Sequence, residues 1–143
     1  MAENKLKYII DASVALKWAM VEGEDLEKAL LLKTLIKKRL IDALVPSLFF
    51  YEILNSLGRK KPELALVFFS QIKMTRILEC RLTTAEILTA IQLMKKYPKT
   101  SFYDTAYHAL AIHEGGTFIT SDEKYYETTK KRGNIVLLKK FAF

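Results

Sequence analysis

"YIIDASVALKW", residues 8–18, decides the fold. Tyr8-Ile9-Ile10 is a short, β-prone apolar run that stops at an acid, Asp11, and "SVALKWAM" (13–20) then reads as a helix. A strand that passes straight into a helix without a hairpin turn opens a βαβ unit, whose next strand runs parallel to the first. The pattern returns late in the chain: "TFIT" (117–120) reads as a strand, Ser121-Asp122 follows, and "SDEKYYETTKKRG" (121–133) reads as a helix with a glycine stop.

Between these landmarks, strands and helices alternate. "EDLEKALLLKTLIKKRL" (24–40) is a helix with acids early and bases late, in keeping with the macrodipole. "DALVP" (42–46) is a strand, and "SLFFYEILNSLGRK" (47–60) a helix with Ser47 as N-cap and Gly58 near its end. Pro62 suits the first turn of a helix over 62–73, and "RILECRL" (76–82) alternates like a strand. "TTAEILTAIQLMKKY" (83–97) opens on a capping box, Thr83 to Glu86. "SFYDTAYHALAIHEGG" (101–116) is a helix that is apolar or small nearly all round and is closed by Gly115-Gly116, and "NIVLL" (134–138) is a last strand. The tail "KKFAF" reads as two exposed phenylalanines. Short apolar strands alternating with helices predict an α/β domain whose parallel sheet is covered on both faces. In such sheets ligands bind beyond the carboxyl ends of the strands, so residues just after strands are the first candidates for function.

Composition narrows the class. The 143 residues, half of them hydrophobic, are read as one domain, 1–143, without linker or repeat. No stretch has the apolar length of a membrane span, and "MAENKLKYII" lacks the pattern of a signal peptide. Cys80, the single cysteine, has no internal disulfide partner. These features point to a soluble cytoplasmic protein. Lys and Arg total 23 against 16 Asp and Glu, a formal charge of +7, with clusters at 37–39, 59–61, 95–96 and 130–132. A basic surface is attracted to polyanions, nucleic acid first among them.

There are only five aspartates, and three of them sit where chemistry is expected. Asp11 ends the first strand and Asp122 follows the late one, although each is also a good helix cap. Asp104 has the S-x-x-[DE] spacing of a capping box with Ser101, yet its helix has little polar face, and an ionised carboxylate on a buried helix needs a partner or a metal. Glu52 shares a helix face with Asn55, Ser56 and Arg59, opposite the apolar stripe of Phe50, Ile53, Leu54 and Leu57. Acids gathered at strand ends and helix starts repel one another unless a cation balances them or some stay protonated. A hydrolytic Mg²⁺ or Mn²⁺ site asks for such oxygen ligands.

"YIIDASVALKW", "VPSLFFYEILNSL", "TSFYDTAYHALAIHEGGTFITSDEKYY" and "NIVLL", in that order, resemble the successive landmarks of a PIN domain, and the chain looks like the small PIN proteins of the VapC toxin type. The resemblance covers nearly the whole chain. It rests on the D-x-S start, the E-x-x-N helix, the Y-D-T-A-Y helix and the T-x-D after a late strand. It implies a three-layer α/β/α fold with a mainly parallel sheet. It also implies a metal-dependent endoribonuclease that hydrolyses RNA by attack of water. Asp11, Glu52, Asp104 and Asp122 match the family's acidic cluster, with Asp11 and Asp104 as principal Mg²⁺ or Mn²⁺ ligands, and Ser13, Asn55 and Thr120 match its supporting polar positions. A small antitoxin that crosses the acidic groove, and a homodimer, are the partners implied. A PIN module that binds RNA or protein without cutting, or a housekeeping RNA-processing nuclease, remains the alternative. Arg59, Lys60, Lys61, Lys17 and Lys124 are candidates for drawing in RNA, whereas His108, His113, Cys80, Trp18, Tyr103 and Tyr107 read as structural. A phosphate-accepting receiver domain fits poorly, because it needs paired acids after the first strand, where Ile10 precedes Asp11 and Ala12 follows it.

Overall fold

The computed structural model describes residues 4–143, so the first three residues of the N-terminal stretch read for a leader lie outside it. Five strands, β1 (Lys7–Ile10), β2 (Asp42–Pro46), β3 (Ile77–Cys80), β4 (Thr117–Thr120) and β5 (Ile135–Leu137), form one sheet in the order β3-β2-β1-β4-β5. Every pair is parallel. The helices are α1 (Ala12–Met20), α2 (Leu26–Lys37), α3 (Leu48–Lys60), α4 (Pro62–Lys73), α5 (Thr84–Lys96), α6 (Phe102–Glu114) and α7 (Glu123–Thr129).

The strand order explains the layers. From β1 the chain crosses by α1 and α2 to β2, then by α3 and α4 to β3, always moving the same way across the sheet. It then returns past β1 by α5 and α6 to β4 and continues by α7 to β5. Right-handed crossovers put the first group of helices on one face and the second on the other, giving a three-layer α/β/α arrangement. The direction of travel reverses between β1 and β4, and that switch point opens a crevice at their carboxyl ends. β1 and β4 are read as near-continuous apolar runs because both of their faces are covered: Ile9, Ile10, Phe118 and Ile119 are all fully buried.

Several local expectations need revision. The predicted 24–40 helix begins only at Leu26, since Asp25 takes a left-handed conformation (φ 62°). Ser47 is helical itself and makes no capping bond. The predicted 121–133 helix ends at Thr129 and gives way to a tight 3₁₀ turn, Lys130–Arg132, before Gly133 at φ 81°. The tail divides: Phe143 is exposed, but Phe141 is buried edge-on against Tyr8, with ring centroids 5.3 Å apart. Sequence pattern could not reveal this, because the partner ring comes from the other end of the chain. The capping box at Thr83 and Glu86 is complete in both directions. No helix among the described residues is long and apolar enough to cross a membrane.

Candidate active site

A pocket of about 350 Å³ lies at the switch point, lined by Asp11, Ser13, Glu52, Asn55, Asp104 and Asp122 among others. Four separate elements supply its acids. Asp11 follows β1, Asp122 follows β4, Glu52 lies one turn into α3, and Asp104 lies in the first turn of α6. Parallel strands bring β1 and β4 into register side by side, Ile10 beside Ile119, so the acids after them emerge as neighbours.

The polar contacts separate capping from other roles. Asp11 is buried and caps nothing with its side chain. Its Oδ2 accepts from Ser13 Oγ at 2.9 Å and from Thr120 Oγ1 at 2.5 Å. Thr120 Oγ1 also accepts from the backbone N–H of Asp122 at 3.0 Å, and Ser13 Oγ accepts from that of Ser121 at 3.3 Å. The two hydroxyls thus tie the turn after β4 to the acid after β1. Asp122 is a true cap, its Oδ1 accepting from the Tyr125 N–H at 2.9 Å. Asp104 performs only half of a capping box. Its N–H donates to Ser101 Oγ, and its carboxyl accepts from that hydroxyl at 3.2 Å rather than from the Ser101 backbone, which leaves the carboxyl on the pocket wall.

Glu52 reveals a partner that sequence reading assigned to core packing. Tyr107, buried and stacked on Phe118, donates its hydroxyl to Glu52 Oε1 at 2.8 Å. The available signal was helical spacing, since Tyr107 follows Asp104 by three residues and so shares its face. Asn55 lines the pocket one turn beyond Glu52. None of the basic candidates lines the pocket wall: Arg59, Lys60 and Lys61 are exposed at the end of α3, and Lys17 and Lys124 also stand outside it.

Electrostatics ties the acids together. Burial pushes the Glu52 carboxyl up to about 7, offset by the Tyr107 hydrogen bond and reinforced by the charges of Asp11 and Asp104. Burial and the charges of Asp11 and Asp122 push Asp104 up to about 6. Asp11 is also raised by burial, despite the hydroxyls that favour its charge. The chain alone therefore leaves negative charge poorly compensated here. Ser121 Oγ, in the turn that carries Asp122, is buried without a hydrogen-bond partner.

A hard divalent cation fits this donor set. Among the described residues no three Asp, Glu, His or Cys side chains stand close enough to hold one ion directly. Mg²⁺, however, keeps much of its water and is held through one or two carboxylates, and a pocket this wide has room for that shell.

The comparisons agree with this architecture. No curated protein matches the chain. Among solved structures, VapBC2 from Rickettsia felis bound to a promoter DNA fragment is 15% identical, covers 92% of this chain and 97% of its own, and gives a TM-score of 0.68. Mycobacterium tuberculosis VapC20, described as a sarcin-ricin loop cleaving toxin, is 14% identical over 89% of this chain and 95% of its own, with a TM-score of 0.68. VapBC-1 from nontypeable Haemophilus influenzae is 12% identical over 94% of this chain and all (100%) of its own, again with a TM-score of 0.68. At these identities the likeness is one of fold. The PIN domain family model matches residues 8–131, a span that runs from β1 past α7 and takes in all four pocket acids, and the chain belongs to the PIN domain family.

Proposed function

We propose that this protein is a Mg²⁺- or Mn²⁺-dependent endoribonuclease that hydrolyses RNA phosphodiester bonds as the toxin of a toxin–antitoxin pair. The observation that carries the reading is the convergence of four acids from four elements on one pocket at the switch point of the sheet. When bound, the cation supplies an activated water and offsets charge on the reacting phosphate. The chain's own residues do the rest. Asp11, oriented by Ser13 and Thr120, and Asp104 would be the principal ligands. Asp122 would complete the first metal site or hold it through water, its backbone held by Thr120 and its carboxyl by the Tyr125 N–H. Glu52, oriented by Tyr107, would hold a second ion or orient the attacking water. Asn55 would hold water beside it. The net charge of +7 favours a polyanionic substrate. The antitoxin partner is supported by a toxin–antitoxin complex from Klebsiella pneumoniae among the similar structures, and a homodimer in the cytoplasm completes the reading.

The test is cleavage of structured and unstructured RNAs with Mg²⁺, Mn²⁺ or EDTA, beside Asp104→Asn. Cleavage is expected only with metal and with the native aspartate, and a loss of about 10²-fold or more is expected in the variant. Cleavage that survives both EDTA and the substitution would sink the mechanism, and inertness toward every RNA would leave a binding module.

A further inference from the structure

Beside the acid pocket lies a smaller hollow of about 100 Å³ that shares Asp104 and Asp122 with it and is completed by Lys99, Thr100, Lys124, Tyr125 and Thr128. Hydrogen bonds decide what this hollow offers a ligand. Thr100 Oγ1 donates to the Tyr97 carbonyl at 2.7 Å, and Thr128 Oγ1 donates to the Lys124 carbonyl at 2.9 Å. The Tyr125 hydroxyl lies 2.8 Å from Nδ1 of the buried His108, whose Nε2 lies 2.8 Å from the Gly133 carbonyl. A carbonyl only accepts, so Nε2 carries the ring proton. Burial holds His108 below its ordinary pKa, so the ring is neutral, and Nδ1 accepts from Tyr125. All three hydroxyl protons are thus committed within the protein.

The side-chain donors left are the ammonium groups of Lys99 and Lys124. Both residues are exposed, and neither belongs to any ion pair among the described residues, which join Lys7, Lys73, Lys130 and Lys139 to glutamates. On the side away from the shared carboxylates of Asp104 and Asp122, whose charge the cation at the acids would offset, the hollow therefore presents two ammonium donors to an acceptor-rich anion. A strand laid across the acids brings its neighbouring phosphate to this side, and lysine binds phosphate as a point charge.

We propose that this hollow is a phosphate subsite, in which Lys99 and Lys124 hold the non-bridging oxygens of the RNA phosphate next to the one at the acids and so set the strand's path over α6 and α7. The assignment rests on the ribonuclease reading of the acid pocket.

The experiment measures binding of fluorescein-labelled hexauridylate by fluorescence anisotropy across a salt series, with Mg²⁺ present. All proteins carry Glu52→Gln to suppress turnover. Lys99→Gln/Lys124→Gln is compared with the parent and with Lys33→Gln/Lys37→Gln. The latter pair makes the same charge change on α2, beside Arg76 and Ile77 at the amino end of the sheet. The subsite variant should flatten the slope of log affinity against log salt by about 1 and weaken binding about tenfold at moderate salt, with the control near the parent. Equal slopes in the two double variants, or no binding by the parent, overturn the subsite. Cleavage by proteins with native Glu52 separates the two readings. Normal cutting with an unchanged slope overturns the subsite alone. A flattened slope in a protein that cuts no RNA keeps the subsite and removes the nuclease.

Discussion

At the residue scale the four acids are not equivalent, because each pays differently for its position. Asp122 is exposed and works as a cap, whereas Asp11 is buried and held by two hydroxyls. Glu52 and Asp104 lie between, raised to about 7 and about 6 by burial and by the other acids. A folded-state pKa above the unfolded value means that the native protein holds protons the unfolded chain has released. The stability this contributes is complete below about pH 4 and is lost as pH rises through 6 and 7. The metal-free protein should therefore melt at a lower temperature at pH 8 than at pH 5, and calorimetry in EDTA would show it. Glu52→Gln and Asp104→Asn should each shrink that decline and raise the pH 8 melting temperature by about 2–4 °C. That corresponds to on the order of 1 kcal/mol after allowance for solvent screening at these half-exposed groups. A pH 8 melting temperature unchanged in both variants would show that the acids are not strained.

At the element scale, two glycines read alike in sequence and differ in structure. Gly58 lies near the end of its helix, as expected, with α3 running through it to Lys60, and a methyl group there would meet nothing within 4 Å. Gly58→Ala should stabilise the protein by about 0.5–1 kcal/mol. Gly116 closes α6 and enters β4, where a Cβ would lie 2.7 Å from the Lys7 carbonyl oxygen. That neighbour is backbone of β1 and cannot turn aside, so Gly116→Ala should cost about 2 kcal/mol or more and disturb the strand pair under Asp11 and Asp122. Urea unfolding of both variants gives the comparison, and equal effects would contradict it. The same scale shows why Asp104 looked like a simple cap. Local spacing reports the Ser101–Asp104 contact correctly, but which bond the carboxyl itself makes depends on the pocket that α6 faces.

At the scale of the whole molecule, the reversal between β1 and β4 gathers like charges that no local interaction would assemble, and a cation should relieve them. At pH 8, a Mg²⁺ or Mn²⁺ concentration 100 times its Kd should add about 2.7 kcal/mol to the stability, and the gain should shrink at pH 5, where protons compete for the same carboxylates. Melting curves with and without metal at the two pH values test this, and a gain independent of pH would count against the acids as ligands. The amino-acid sequence by itself determined the order of strands and helices, the parallel α/β class and the identity of the acids that follow strands. Those features rest on hydrophobic period, turn chemistry and spacing, which act over a few residues. Only the tertiary structure decided that the four acids share one pocket, that Tyr107 holds Glu52, that Phe141 is core and that Lys99 stands beside Lys124. Each of these depends on segments distant in the chain, brought together by the crossovers of a sheet whose strand order no local pattern encodes.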